Sequence, residues 1–574
     1  MGSGGTAVIS ERGDTSGTSG AEVEQTPTAV PVDTAPPGPV RAERRTVLTA
    51  VGAAGAGLAV AACAPALPGV GTERVVAPPP PTTPAPPVPP AIAQARLLAG
   101  RATFGATAAV VDRITTIGVN TWIEEQLAPG GPSAEGRLGA FTTLRQTNSQ
   151  NEAIRNTDQD QLFQELDHAT LIRAVYSERQ LYEVMCDFWN NHFNIWRNAK
   201  YLTQLKTVDN ERVIRPFALG KFADLLMASA KSPAMLVYLD NFDSRGDPGR
   251  QVNENYGREL LELHTLGIVN GEHVYTEADI VGVAKVLSGW SINWNNGANK
   301  YDYFFADYHH SREAVSILGG AWSRPARTND YRTAGMGDGE SLIRFLARHP
   351  ETARYICFKL VRRFVSDDPP MGLVDRLAGI YTTNDTAIVP VLRALFRSPE
   401  FAASANQKVK RPVDWLYSAL RSTGAQINEA PRGQAASRLR SAQSALGQAV
   451  NERVTPDGWP EQGTDWIAAD GLLKRWEYGS KIGRNQITDS NAVEKVQINV
   501  VGLVPAPLPA TNRALIAAIA GTHFQITISS GDEAAICTAL RIDPNAAVTT
   551  LATDAVLLQG TLGLLLAHPQ FHHR

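Results

Sequence analysis

Asn253-Glu254-Asn255-Tyr256-Gly257-Arg258-Glu259-Leu260-Leu261-Glu262-Leu263-His264-Thr265-Leu266-Gly267 reads as one helix, started by a capping Asn253 and stopped by Gly267. At about 100° per residue, Glu254, Arg258, Glu262, Asn255 and Glu259 form one polar sector of roughly 140°. Leu263, Tyr256, Leu260, His264, Gly257 and Leu261 fill the other side. Surface helices also carry Glu–Arg pairs four residues apart. This row differs in that Asn255, Glu259 and Glu262 come nearly eclipsed, with no lysine among them. Two carboxylates and an amide in a line suit a hard cation, which takes oxygen ligands, or an acid/base pair. Glu259 and Glu262 are the expected catalytic pair, and Glu259 is also a candidate metal ligand. His264 faces the apolar side, where a hydrogen-bonded core histidine is the plainer reading.

Helical signals extend on both sides. Residues 110–127 read as helices broken at Gly118, and 161–184 as a long amphipathic run. Ser232-Pro233 and Ser398-Pro399-Glu400 pair a capping serine with a first-turn proline. Thr276-Glu277-Ala278-Asp279 is a capping box, and His349-Pro350-Glu351 opens a further helix. Alternating patterns are few, the best being 301–305 and 524–528. The expected class is mainly α, a multi-helix globular body with few short strands. Gly335-Met336-Gly337-Asp338-Gly339 lacks the lysine and strand context of a phosphate loop and reads as a turn before the next helix.

Two further clusters carry chemistry. Asp187-Phe188-Trp189-Asn190-Asn191-His192-Phe193-Asn194 ends a helix with Leu181, Val184, Met185 and Phe188 turned inward. His192 is either a core histidine at a helix end or a group sharing a metal or proton with Glu259. His192 is therefore both a catalytic and a metal candidate, with Trp189 and Asn194 as substrate contacts. In Asp307-Tyr308-His309-His310, adjacent histidines point to different sides, and His310 is the catalytic candidate. Asn255 and Arg258 are expected to orient an anionic or hydroxyl-rich substrate.

The chain has 574 residues, a formal net charge of -3, 43% hydrophobic and 19% charged residues. That balance fits a globular protein and leaves no electrostatic footprint for nucleic acid. Residues 1–43 are a Gly/Ser/Thr/Pro-rich leader, expected to be disordered. Arg44-Arg45 precedes a short Ala/Gly/Val/Leu run ending in Val60-Ala61-Ala62-Cys63, the layout of a twin-arginine export signal with a lipobox-like end. Cys63 is the expected lipidation site, and a plain signal cleaved near Ala66 is the alternative. Residues 64–90 form a proline-rich spacer, and the helical body runs over 91–574 with a sub-boundary near 405. Export, an extracytoplasmic location and a membrane lipid anchor follow as expectations. Cys186 and Cys357 read as buried thiols in apolar helices. His572-His573-Arg574 reads as a solvated tail.

A resemblance ties these pieces together. Arg96-Leu97-Leu98, Arg101-Ala102-Thr103-Phe104-Gly105, Trp189 with His192-Phe193-Asn194, Tyr238-Leu239-Asp240-Asn241, the 253–267 segment, Tyr275-Thr276-Glu277-Ala278-Asp279, Ser398-Pro399-Glu400-Phe401 and Pro456-x-Gly458-Trp459-Pro460 with Trp466 resemble the motifs of the bacterial domain of unknown function 1800. The resemblance covers about 91–574. It implies an exported protein and an exported partner related to sulfatases and phosphatases, with no established activity. Where the family usually has His-Asp, this chain has His310-Ser311.

There is no Gly-x-Ser-x-Gly elbow, His-Glu-x-x-His pair, dinucleotide fingerprint or haem-attachment motif. The expected function is a metal-assisted or acid/base hydrolase on envelope polysaccharide or ester substrates, with a divalent metal as the candidate cofactor. The alternative is a non-catalytic envelope scaffold acting with an exported partner, in which the polar residues form a structural network.

Overall fold

The computed structural model describes residues 88–131, 133–199, 201–269, 271–327 and 332–574. The leader, the twin-arginine segment with Cys63 and the proline-rich spacer as far as residue 87 lie outside the described residues.

Local signals start and stop the helices where chain chemistry demands it. Thr276 Oγ1 accepts the Asp279 N–H while the Asp279 carboxylate accepts the Thr276 N–H at 2.8 Å, opening the Glu277–Leu287 helix. His349 Nδ1 accepts the Glu351 N–H at the start of Pro350–Phe364. Gly118, at φ +85°, separates Ala108–Ile117 from Val119–Leu127, a backbone state that costs glycine little. The 161–184 run is divided in the structure: Asn148–Tyr176 ends before Ser177, and Gln180–His192 begins three residues later.

Strand is confined, among the described residues, to three two-stranded antiparallel ladders. Trp290–Ile292 pairs with Tyr303–Phe305, Val315–Ile317 with Trp322–Arg324, and Gln426–Ile427 with Val496–Gln497. The fold is mainly α. Residues 524–528 are not a strand: the Thr527 N–H is taken by the Gln570 side chain and the Ile526 N–H by the Ala520 carbonyl. Their alternation reflects burial of Phe524, Ile526 and Ile528 alone. Gly335, Gly337 and Gly339 lie inside the Arg332–Arg348 helix rather than in a turn. A Cβ at 339 would overlap the Trp290 ring and one at 335 would crowd His310 and Phe305, so these two glycines serve close approach.

The Gln180–His192 helix sits in the core, with Leu181, Val184, Met185, Phe188 and Trp189 all buried. Cys186, Cys357 and Cys537 are buried free thiols. The end of the chain is not a solvated tail: His572 and Arg574 are buried and His573 is partly so. The His572 carbonyl accepts the Lys410 N–H at 2.7 Å, and the Arg574 N–H donates to the Lys408 carbonyl at 2.9 Å.

An ionic knot joins distant segments beneath that helix. Arg363 meets Asp187 at 3.2 Å, Asp414 at 3.3 Å and Glu461 at 3.1 Å. Arg411 meets the same three carboxylates at 2.5, 3.0 and 3.0 Å, and Arg574 reaches Asp414 at 3.1 Å. Burial alone would push the Asp414 and Glu461 carboxyls up. The surrounding guanidiniums overcome it and hold both below their usual range, which is how a buried charge is tolerated.

Candidate functional site

The 253–267 segment is positioned by close packing. Gly257 lies where a Cβ would come within 2.9 Å of the Ile280 carbonyl oxygen, so the segment nests directly on the Glu277–Leu287 helix. Asn253 Oδ1 accepts the Asn255 N–H at 3.0 Å in a turn leading into a short α-helix, Asn255–Glu259, whose cap position is Glu254, without a side-chain cap, instead of the expected Asn253. Residues Leu260–His264 then form a π-helical turn. Gly267 ends it at φ +69°, its N–H donating to the Leu261 carbonyl at 2.9 Å, against the face of the Tyr355 ring. The π turn corrects the uniform helical wheel. It is wider than an α turn, so Glu262 leaves the line through Asn255 and Glu259. Such turns recur at functional sites.

Tyr256, Leu260, Leu261 and His264 are buried, while Glu259 and Glu262 remain partly exposed. Neither carboxylate has a hydrogen-bond or ion-pair partner among the described residues. Burial, followed by the charge of Glu262, raises the Glu259 carboxyl to about 6 against the pull of Arg258, and Asp457 adds to the rise. Arg258 itself is committed to Glu277, at 2.8 and 2.7 Å, near the exposed start of the next helix. Asn255 Nδ2 donates to the Leu239 carbonyl at 3.3 Å.

Behind this face lies a buried imidazole pair. His192 is 1% exposed. Its Nδ1 is 2.9 Å from Lys359 Nζ and its Nε2 is 3.2 Å from the His264 carbonyl oxygen. An ammonium only donates and a carbonyl only accepts, so one neutral tautomer satisfies both contacts: Nδ1 accepts and Nε2–H donates. Burial first, then Lys359 and His264, hold the His192 imidazole well below its usual range. Burial and Lys359 lower His264 to about 3. With both nitrogens engaged, His192 is not free to ligate an ion at Glu259.

The remaining sequence candidates divide. Trp189 is fully buried, its indole N–H donating to the Ala218 carbonyl at 2.9 Å, so it packs the core instead of facing a substrate. Asn194 Nδ2 donates to the Arg453 and Thr455 carbonyls at 3.0 and 2.8 Å, and Asn191 clamps Trp459 through both its amide atoms. These contacts fix the 453–461 loop, which delivers Asp457. His310 is elsewhere. It donates from Nδ1 to Ser288 O at 2.9 Å, past the far end of the helix whose first residue pairs with Arg258. Eleven residues of helix separate those ends by roughly 16 Å.

Sequence reasoning passed over Lys359, Asp457 and Tyr355. Burial lowers Lys359 to about 8, opposed by Glu461 and Asp457. The signal was a single lysine inside Ile356-Cys357-Phe358-Lys359-Leu360-Val361, an apolar run in which a solvated lysine has no place. Among the described residues no three His, Cys, Asp or Glu side chains group to hold a metal ion. The Glu259 carboxyl lines neither of two cavities found among the described residues. One is a cleft of about 540 Å³ beside Thr115, Asn120 and Ser398, the other a chamber of about 40 Å³ beside Glu183 and Asp187. No helix among the described residues is long and apolar enough to cross a membrane.

In comparisons with known proteins, the family model described as "Protein of unknown function (DUF1800)" matches residues 97–573. No curated protein and no solved structure matches.

Proposed function

The chain belongs to the DUF1800 family, to which no activity is attached, and from the site itself we propose an acid/base hydrolase acting through Glu259 and Glu262. One observation carries the reading: a half-buried carboxyl, raised to about 6, beside a second carboxylate and without a cation bound to it among the described residues. A neighbouring pair of carboxyls, of which Glu259 is raised, suits hydrolysis of a glycosidic or ester bond, one giving a proton to the leaving oxygen and the other activating water. Glu259 is the proton donor and Glu262 the base. Should a divalent cation take part, Glu259 and Glu262 are its two carboxylate ligands, since His192 is engaged elsewhere.

The export signal and lipobox read in residues 44–63 support an envelope polysaccharide or ester as the substrate. Screening the purified protein against such polymers and chromogenic esters tests the proposal. Glu259→Gln is expected to cut the rate at least about 100-fold, and the wild-type pH profile to carry a limb near 6. An unchanged rate in Glu259→Gln contradicts it. The second reading, an anchored scaffold acting with an exported sulfatase- or phosphatase-like partner, draws support from Trp189, His192 and Asn194, all spent on packing.

A further inference from the structure

Lys359 is linked to the acid-pair segment through His192, which contacts the His264 carbonyl, and Glu461 and Asp457 act on its charge without an ion pair to it. The helix Pro350–Phe364 carries two buried-side cations one turn apart, Lys359 and Arg363. Arg363 meets three carboxylates. Lys359 meets none within ion-pair distance among the described residues, and its one hydrogen-bond partner is the neutral His192 ring. That contact orients Nζ but returns no negative charge. Two of the three ammonium N–H bonds are left for something else, on a side chain that keeps partial exposure.

The surroundings show what that something meets. Nζ lies 5.4 Å from the centroid of the Tyr355 ring, one turn earlier on the same helix. Tyr355 and Tyr275 have no hydrogen bond to their hydroxyls among the described residues, and the charge of Glu262 acts on both phenols. Lys359 and Glu262 therefore border one tyrosine wall, with two hydroxyl groups between a cation and the acid pair. Carboxylates alone would repel an anion; an ammonium on that wall that Glu461 and Asp457 influence but do not ion-pair recruits one.

We propose that Lys359 is the anion-receiving group of the Glu259 site, and that the ligand taken there carries an oxyanion together with hydroxyl groups within reach of Tyr275 and Tyr355. This rests on the acid/base reading of Glu259 and narrows its substrate class to acidic polymers, those bearing carboxylate, phosphate or sulfate. Lys359 binds the oxyanion, and His192 is a positioning residue that holds Nζ in place.

Calorimetric titration of the full chain with glucuronate, inorganic phosphate and sulfate, at fixed ionic strength, tests it without turnover. Saturable binding of at least one probe is expected, about tenfold or more weaker in Lys359→Gln and restored by Lys359→Arg. Glu259→Gln binds more tightly, since a like charge is gone. For glucuronate and sulfate, whose charge is constant over the range, affinity falls as pH rises from 5.5 to 9, first as Glu259 ionises and then as Lys359 loses its proton. The probe that binds best identifies the oxyanion. No saturable binding of any probe overturns the proposal, as does equal binding by wild type and a cooperatively melting Lys359→Gln. Where Lys359→Gln fails to fold, the pH series and Lys359→Arg decide: binding constant from pH 5.5 to 9 overturns it. Hydrolysis without anion binding sinks this inference alone, and anion binding without hydrolysis sinks only the acid/base reading.

Discussion

Arg363 and Lys359 stand four residues apart on one helix and serve opposite kinds of acidic cluster. Around Arg363, three carboxylates share Arg363 and Arg411, with Arg574 added at Asp414, and the Asp414 and Glu461 carboxyls are held low. In the second region neither Glu259 nor Glu262 has a cation bound among the described residues, though nearby Asp457 is paired with Arg453 at 3.0 Å, and the carboxyl of Glu259 is pushed up. The 453–461 loop feeds both, giving Glu461 to the first and Asp457 to the neighbourhood of the second. Acidic residues on buried faces therefore do not identify a site. What distinguishes the two regions is whether the charges are matched, because folding alone favours matching and unmatched charge persists where something else uses it.

The contrast breaks most visibly at the matched knot. Arg363→Met leaves Asp187, Asp414 and Glu461 short of one guanidinium and is expected to cost about 3 kcal/mol or more, since a buried charge loses its partner. Chemical denaturation reads this; a loss below about 1 kcal/mol would mean that the knot is no more matched than the Glu259 region. A smaller loss probes the wall of the unmatched site. Gly267→Ala meets both a left-handed backbone, φ +69°, and the Tyr355 ring, whereas Gly271→Ala meets only the backbone term, φ +82° with open space around it. The first is expected to cost about 2–4 kcal/mol and the second about 1, and equal losses would show that Tyr355 yields and is not a fixed wall.

Much of this was legible where the cause is local. The Thr276 capping box, the Gly118 break and the Gly267 end of the central segment each need only a few adjacent residues. The segment's interior was not legible in the same way: a wheel at constant pitch has no room for the π turn at Leu260–His264, and so it aligned Glu262 too closely with Glu259. Lys359 takes its meaning from His192, 167 residues away, and Arg363 from Asp187, 176 residues away. Neither pairing leaves a periodic trace. His192, Asn194 and Trp189, candidates for catalysis or substrate contact from their residue types, each donate to a backbone carbonyl. Residue type announced a constraint without saying whether it was chemical or architectural. For Arg574, a short polar end suggested solvation, and only the fold supplies Asp414.

The central claim is that Glu259 is an unmatched charge kept at the expense of stability. Its folded proton affinity is raised to about 6 from 4.5. Below pH 4.5 the carboxyl is protonated in both folded and unfolded chains and has no effect. As pH rises through 6 the unfolded chain gives up its proton first, so the folded state is penalised, fully so above 6. The direct measurement is the melting temperature of Glu259→Gln against wild type at pH 8 and at pH 4. The account predicts a variant more stable at pH 8, by up to about 1 kcal/mol after solvent screening of this half-exposed group, with the gain gone at pH 4. A variant less stable than wild type at pH 8 would contradict it, and would make Glu259 one more matched charge of the scaffold.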